Sequence, residues 1–186
     1  VNAAKTLARY CSIARPILLD FMPPNSCIGA TRVTCDVLEA LGFHVVPFAT
    51  KLVVEVPSLN VAYTSGLSDE ELARSKGQVR TPWGQGWRGH LVAHVEGRLL
   101  LDSSFDQVND GLRGRLRLRR KIVHFPLQDV SIERGFRAEY GGLADDGTEL
   151  KITYATTRDE SWRDAPAWND EGLPFLVAAL LGRMKR

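Results

Sequence analysis

In NSCIGATRVTCDVLEALG, residues 25 to 42, the apolar positions Val33, Val37, Leu38 and Leu41 fall three and four apart, with Ile28, Ala30 and Ala40 filling in. That spacing predicts a helix packed on one broad face. Pro23-Pro24 blocks entry from upstream, Asn25 or Ser26 offers an N-cap, and Gly42 a C-terminal stop. Upstream, NAAKTLARYCSIA predicts a short helix with Ala4, Leu7, Ala8 and Cys11 on one face, ending before Pro16. Downstream, HVVPFATKLVVEV is β-branched and apolar, one or two strands with Pro47 at an interruption or an edge. Residues 57 to 88 read as a long surface excursion with one short helix opened by the capping box Ser68-Asp-Glu-Glu71. LVAHV and RLLLD then read as strands around a turn at Glu96-Gly97. ADDGTELKITYATT predicts a turn at Asp146-Gly147 leading into a strand, and LPFLVAALLGRMKR a closing amphipathic helix.

Composition narrows the class. A chain of 186 residues with 44% hydrophobic content suits one well-cored domain, 1–186, and shows no internal repeat. A net charge of +2 gives no global attraction to nucleic acid or membrane. No apolar run reaches the ~18 residues of a membrane span, and the N-terminus lacks the basic-then-apolar pattern of a signal peptide. Cys11, Cys27 and Cys35 are an odd set with no CxxC pair and no histidine at metal-ligand spacing. We therefore expect free thiols in a reducing cytoplasm, with no metal and no bound cofactor.

Cys27 falls in the first turn of its helix, where unpaired N–H groups and the positive dipole end favour a thiolate. The competing reading is a small buried hydrophobe, as mid-helix Cys35 would be. A base is available in GWRGHLVAHVEGRLLLDSSFD, residues 86 to 106. A Val95-Glu96-Gly97 loop would set His90 opposite Asp102, whereas a two-residue turn at Glu96-Gly97 would send Asp102 to the other face. A carboxylate after three leucines is expensive unless paired, and a histidine beside it removes that cost. Asp102 would fix the tautomer of His90 while the near nitrogen takes the proton of Cys27. His94 shares the parity of His90 but sits close to the turn.

The order of a cysteine opening a helix that ends in ALG, a histidine strand, a short turn and a strand ending in aspartate resembles the core of the transglutaminase-like superfamily, over roughly residues 25 to 106. Arylamine N-acetyltransferases belong to the same broad group, and papain-like proteases are more distant. The resemblance implies an α+β fold with the nucleophile helix on an antiparallel sheet, and Cys27, His90 and Asp102 as nucleophile, base and orienter. Where arylamine N-acetyltransferases carry Arg-Gly-Gly-x-Cys, this chain reads Pro24-Asn25-Ser26-Cys27. Where transglutaminases carry aromatics beside the cysteine and after the histidine, it has Ser26 and Leu91. The glutamine that papain-like enzymes place ahead of the cysteine has no counterpart in Leu19-Asp20-Phe21-Met22. The oxyanion would then rest on the Cys27 N–H, helped by the Asn25 side chain.

The chemistry expected of such a triad is acyl transfer or amide hydrolysis through a thioester, with an acyl donor (acetyl-CoA or another) as substrate and water or an amine as acceptor. Trp83 and Trp87 are candidates to line an acyl pocket or simply to pack, and Trp162 and Trp168, in TRDESWRDAPAW, to cover an edge of the site. RGRLRLRRK, residues 113 to 121, alternates Arg115, Arg117 and Arg119 with Leu116 and Leu118. On a strand this gives a cationic face, either merely solvated or docking an acidic or phosphate-bearing partner. Nucleic acid is disfavoured because no aromatics interleave with the arginines. Two other readings stand beside the acyl enzyme: a fold with an unused triad serving as a binding module, and a papain-like peptidase.

Overall fold

The computed structural model describes residues 3–23, 26–74, 78–80, 87–118, 122–127 and 135–185, with backbone only at 78–80. Helix α1 (Ala3–Phe21) runs straight through Pro16. The expected stop fails because Pro16 and Ser12 stand on the exposed side, where the Ser12 carbonyl that loses its helical donor is open to solvent, while Ala14, Arg15 and Leu18 are buried around it. The buried face is Leu7, Tyr10, Cys11, Ala14 and Leu18, and Ala4 and Ala8 lie outside it.

Helix α2 (Cys27–Ala40) ends as its sequence indicates. Gly42 takes the left-handed conformation (φ 88°), its N–H reaches Glu39 O and the Phe43 N–H reaches Leu38 O, a Schellman closure. Strand β1 (Val45–Val56) is a single strand of 12 residues. It pairs with β4 (His90–Val95) over 45–50, with β8 (Glu149–Thr156) over 50–55 and with β2 (Val61–Ser65) over 52–56. Pro47 is tolerated because its half of β1 has β4 as its strand partner on one side alone.

The segment read as a surface excursion contributes β2, helix α3 (Asp69–Arg74) and β3 (Gln78–Arg80), which pairs parallel to β2. The capping box is formed in both directions, Ser68 N–H to Glu71 Oε2 at 2.8 Å and Glu71 N–H to Ser68 Oγ at 3.2 Å. Strand β5 (Leu99–Asp102), helix α4 (Gln107–Gly111) and strand β6 (Val123–Pro126) follow β4, and β7 (Arg137–Leu143) forms a hairpin with β8 through Asp146-Gly147. The sheet runs β3-β2-β1-β4-β5-β6, with β8 also on β1 and β7 on β8, antiparallel throughout except β2–β3.

The fold is thus α+β. One sheet face, through Val45, Ala93, Val95 and Leu101, packs on α1, α2 and the closing helix α5 (Leu173–Met184). The other face gathers Leu52, Val54, Tyr63, Val92, Leu100 and Tyr154. Each fully buried leucine or valine there contributes about 1.5–3 kcal/mol. Three hydroxyls stitch α2 in place: Thr31 Oγ1 donates to Leu91 O (2.9 Å), Thr34 Oγ1 meets Ser103 Oγ (2.6 Å), and Tyr10 OH donates to Thr34 Oγ1 (3.0 Å). Arg15, fully buried, ties α1 to the turn after β5 through Asp106 at 2.6 Å.

The arginine run is not a strand in the described part. Residues 112–116 are turns and bends and 117–118 irregular, with Arg113 and Gly114 left-handed, and the Asn109 side chain pairs with both N–H and C=O of Leu118 in place of a neighbouring strand. Arg115 and Arg117 are exposed and Leu116 buried, so burial alternates without sheet geometry. Arg119 lies outside the described residues. No helix among the described residues is long and apolar enough to cross a membrane.

Candidate active site

The turn between β4 and β5 decides where Asp102 points. Glu96 (φ 53°) and Gly97 (φ 65°) are both left-handed, a type I′ signature, closed by Arg98 N–H to Val95 O at 3.0 Å. Alone, that turn would pair Val95 with Arg98 and turn Asp102 away from His90. Arg98 is instead an extra residue, and pairing resumes with Val95 opposite Leu99 and Ala93 opposite Leu101. Both registers considered from the sequence are therefore replaced by a third. Continued one step, it sets Asp102 opposite Val92, on the same face as His90 and diagonal to it.

The diagonal is short enough for a strong bond. His90 Nε2 and Asp102 Oδ2 are 2.6 Å apart, with both side chains fully buried. Tyr154 OH donates to the same oxygen at 2.7 Å, and the Ser104 N–H to Oδ1 at 3.0 Å. Burial alone would neutralise both partners. Against it, the charge and hydrogen bond of Asp102, with a further contribution from the Cys27 thiol, raise the His90 pKa. His90, Tyr154 and the Ser104 N–H likewise outweigh burial and hold Asp102 below the usual carboxylate range. His90 is anchored through its backbone, whose carbonyl accepts from Thr50 Oγ1 at 2.9 Å.

Cys27 opens α2 and is 8% exposed. The Ser26 side chain does not cap the helix but turns back to Pro23 O at 2.6 Å, so it leaves the first-turn N–H groups to other acceptors. Cys27 packs among Ala49, Leu91 and Trp162 and stands close enough to His90 to contribute a hydrogen bond and a charge interaction to its protonation. With Nε2 taken by Asp102, Nδ1 is the nitrogen left for the thiol. Gln107 Nε2 lies 2.7 Å from that same Nδ1. The other two thiols are in different surroundings: burial pushes Cys35 up to about 12 and Cys11 up to about 11.

Around the cysteine stands an aromatic wall. Trp162 is fully buried against it, with Trp87 and Trp168 packed on the same cluster. Trp162 and Trp168 meet edge to face at 4.5 Å, and Arg163 and Arg32 lie over their rings at 4.4 and 5.0 Å. The Trp87 ring lies against Gly89, where a Cβ would come within 2.1 Å of it. His94, the rival histidine, lies opposite Leu100 and beside Phe48, and burial lowers its pKa.

The structure thus brings together Cys27, His90, Asp102 and Trp87, and leaves Arg115 and Arg117 on the turn after α4. Asn25 and Trp83 lie outside the described residues. Tyr154 and Gln107 were not singled out in the sequence. Alternation along KITYAT does put Ile152 and Tyr154 on one face, but the contact of Tyr154 with Asp102 depends on Leu52 pairing with Tyr154, a register set over a hundred residues. Comparison with protein-family models, with curated proteins and with solved structures finds no match to this chain.

Proposed function

We propose that this chain is a cysteine-nucleophile acyl enzyme with a transglutaminase-like arrangement of helix and sheet. The observation that carries the reading is the fully buried His90–Asp102 contact at 2.6 Å, with Cys27 at the start of α2 beside the same ring. Cys27 passes its proton to Nδ1 of His90, and Sγ attacks an acyl carbonyl. The tetrahedral oxyanion is met by N–H groups at the start of α2, His90 protonates the leaving group, and water or an amine resolves the thioester. Asp102 keeps Nε2–H directed and stabilises the imidazolium. Trp87 and Trp162 give the acyl group an apolar wall, and the reaction class is acyl transfer or amide hydrolysis.

The test is the rate of iodoacetamide alkylation at each cysteine, followed by mass spectrometry from pH 5 to 10, in the native chain and in His90→Ala. Cys27 is expected to react fastest of the three and to lose that reactivity in the variant, while Cys11 and Cys35 stay inert in both. A Cys27 profile that does not depend on His90 would overturn the reading and leave a binding module as the alternative.

A further inference from the structure

The Gln107 side chain stands where the mechanism needs open space. Its Nε2 lies 2.7 Å from Nδ1 of His90, the nitrogen that must accept the thiol proton, and the side chain is itself buried. An amide N–H can donate there only while Nδ1 carries a lone pair. Once Nδ1 holds a proton, two donors face each other, and the amide has to turn. It can then offer Oε1 to Nδ1–H or leave the ring, and either movement frees its N–H groups. Asp102, kept ionised by Tyr154 and the Ser104 N–H, stabilises the ring once Nδ1 has taken the thiol proton, so the site supports this exchange.

Resting on the acyl-enzyme reading, we propose that Gln107 is a catalytic residue that changes partner during the reaction: it caps Nδ1 of His90 in the resting site and donates to the acyl oxyanion once the proton has moved. In balance, the proton goes from Sγ to Nδ1, the Sγ–C bond forms, and the carbonyl π pair moves onto oxygen. The freed amide N–H meets that oxygen. Collapse returns the pair, breaks the bond to the leaving group, and delivers the Nδ1 proton to it. The buried amide, at the start of α4, would thus supply the side-chain donor for which Leu19-Asp20-Phe21-Met22 has no glutamine.

Two probes separate this role from ring positioning. Acylation by p-nitrophenyl acetate passes through an oxyanion, whereas alkylation by iodoacetamide needs the thiolate but forms none. In Gln107→Ala the acylation burst is expected to slow by about 100-fold or more, with no parallel slowing of Cys27 alkylation. Gln107→Glu, which keeps the length and an acceptor for Nδ1–H but has no N–H, should show the same split if the alanine variant does not fold. An equal fall in both rates would make Gln107 a positioning residue, and unchanged rates would make it a packing residue. Either result overturns the proposal while leaving the triad intact. A wild-type chain with no burst and no His90-dependent alkylation would instead remove the acyl-enzyme reading itself.

Discussion

Asp102 and Asp106 sit four residues apart around one turn, both buried, each against a single cationic partner. Asp106 meets Arg15, a permanent cation whose fork ties α1 to the turn. Asp102 meets His90, a titratable cation whose second nitrogen faces the Gln107 amide. Their protonation responds in opposite directions. Burial, with some repulsion from Asp102, raises the pKa of Asp106 despite Arg15, whereas His90, Tyr154 and the Ser104 N–H outweigh burial and lower that of Asp102. A pair that only fastens two elements needs a fixed charge and no more. The Asp102 pair carries two extra donors to the carboxylate and a ring that can exchange a proton, which is what the proposed acyl chemistry would use.

The comparison can be broken by substitution. Asp102→Asn preserves shape and removes the charge, so Cys27 acylation should fall by about four orders of magnitude, measured by burst kinetics with a urea transition to confirm folding. Asp106→Asn removes the charge that faces the buried Arg15 guanidinium and should cost about 3–5 kcal/mol in urea unfolding, while acylation per folded molecule stays within tenfold of wild type. A loss of chemistry in Asp106→Asn as deep as in Asp102→Asn would end the distinction.

Tyr154→Phe removes one donor from Asp102 and should cost about 1.5–3 kcal/mol, the range for hydrogen bonds to charged groups. Its sign with pH is fixed. The lowered Asp102 pKa contributes stability above the unfolded value of about 3.9, lost as pH falls through the folded pKa. With Tyr154 gone the pKa is lowered less, so the acid loss of stability is complete at a higher pH than in wild type. Urea midpoints from pH 2 to 7 would read this. The smallest effect belongs to Arg15→Met combined with Asp106→Leu, which should return stability to within about 1–2 kcal/mol of wild type. No apolar replacement of His90 and Asp102 should restore acylation.

Cys27, His90 and Asp102 were legible because each stands at the end of an element whose pattern is strong: a helix start, a strand start and a strand end. Their geometry was not, because it turned on Arg98, whose role as the extra residue after a type I′ turn leaves no mark in a hydrophobic pattern. Pro16 misled for a related reason, since its exposure decides whether a proline ends a helix, and exposure is tertiary. β2 was hidden by its short length between a 3-10 turn and Gly66, and the arginine run suggested a strand where Asn109 supplies the pairing instead. Gln107 follows Asp102-Ser-Ser-Phe-Asp106, a stretch with no periodicity to orient it, and only the fold brings it back to the ring.

The hydroxyls along α2 also act as pegs. Greasy packing alone lets a rod slide lengthwise or roll slightly at little penalty, because one methyl is much like the next. Thr31 engages a carbonyl of the strand bearing His90, and Thr34 engages Ser103, next to Asp102. The rod is therefore indexed against the strand that carries His90 and against the residue that follows Asp102, and its leading tip, where sulfur sits, inherits that setting.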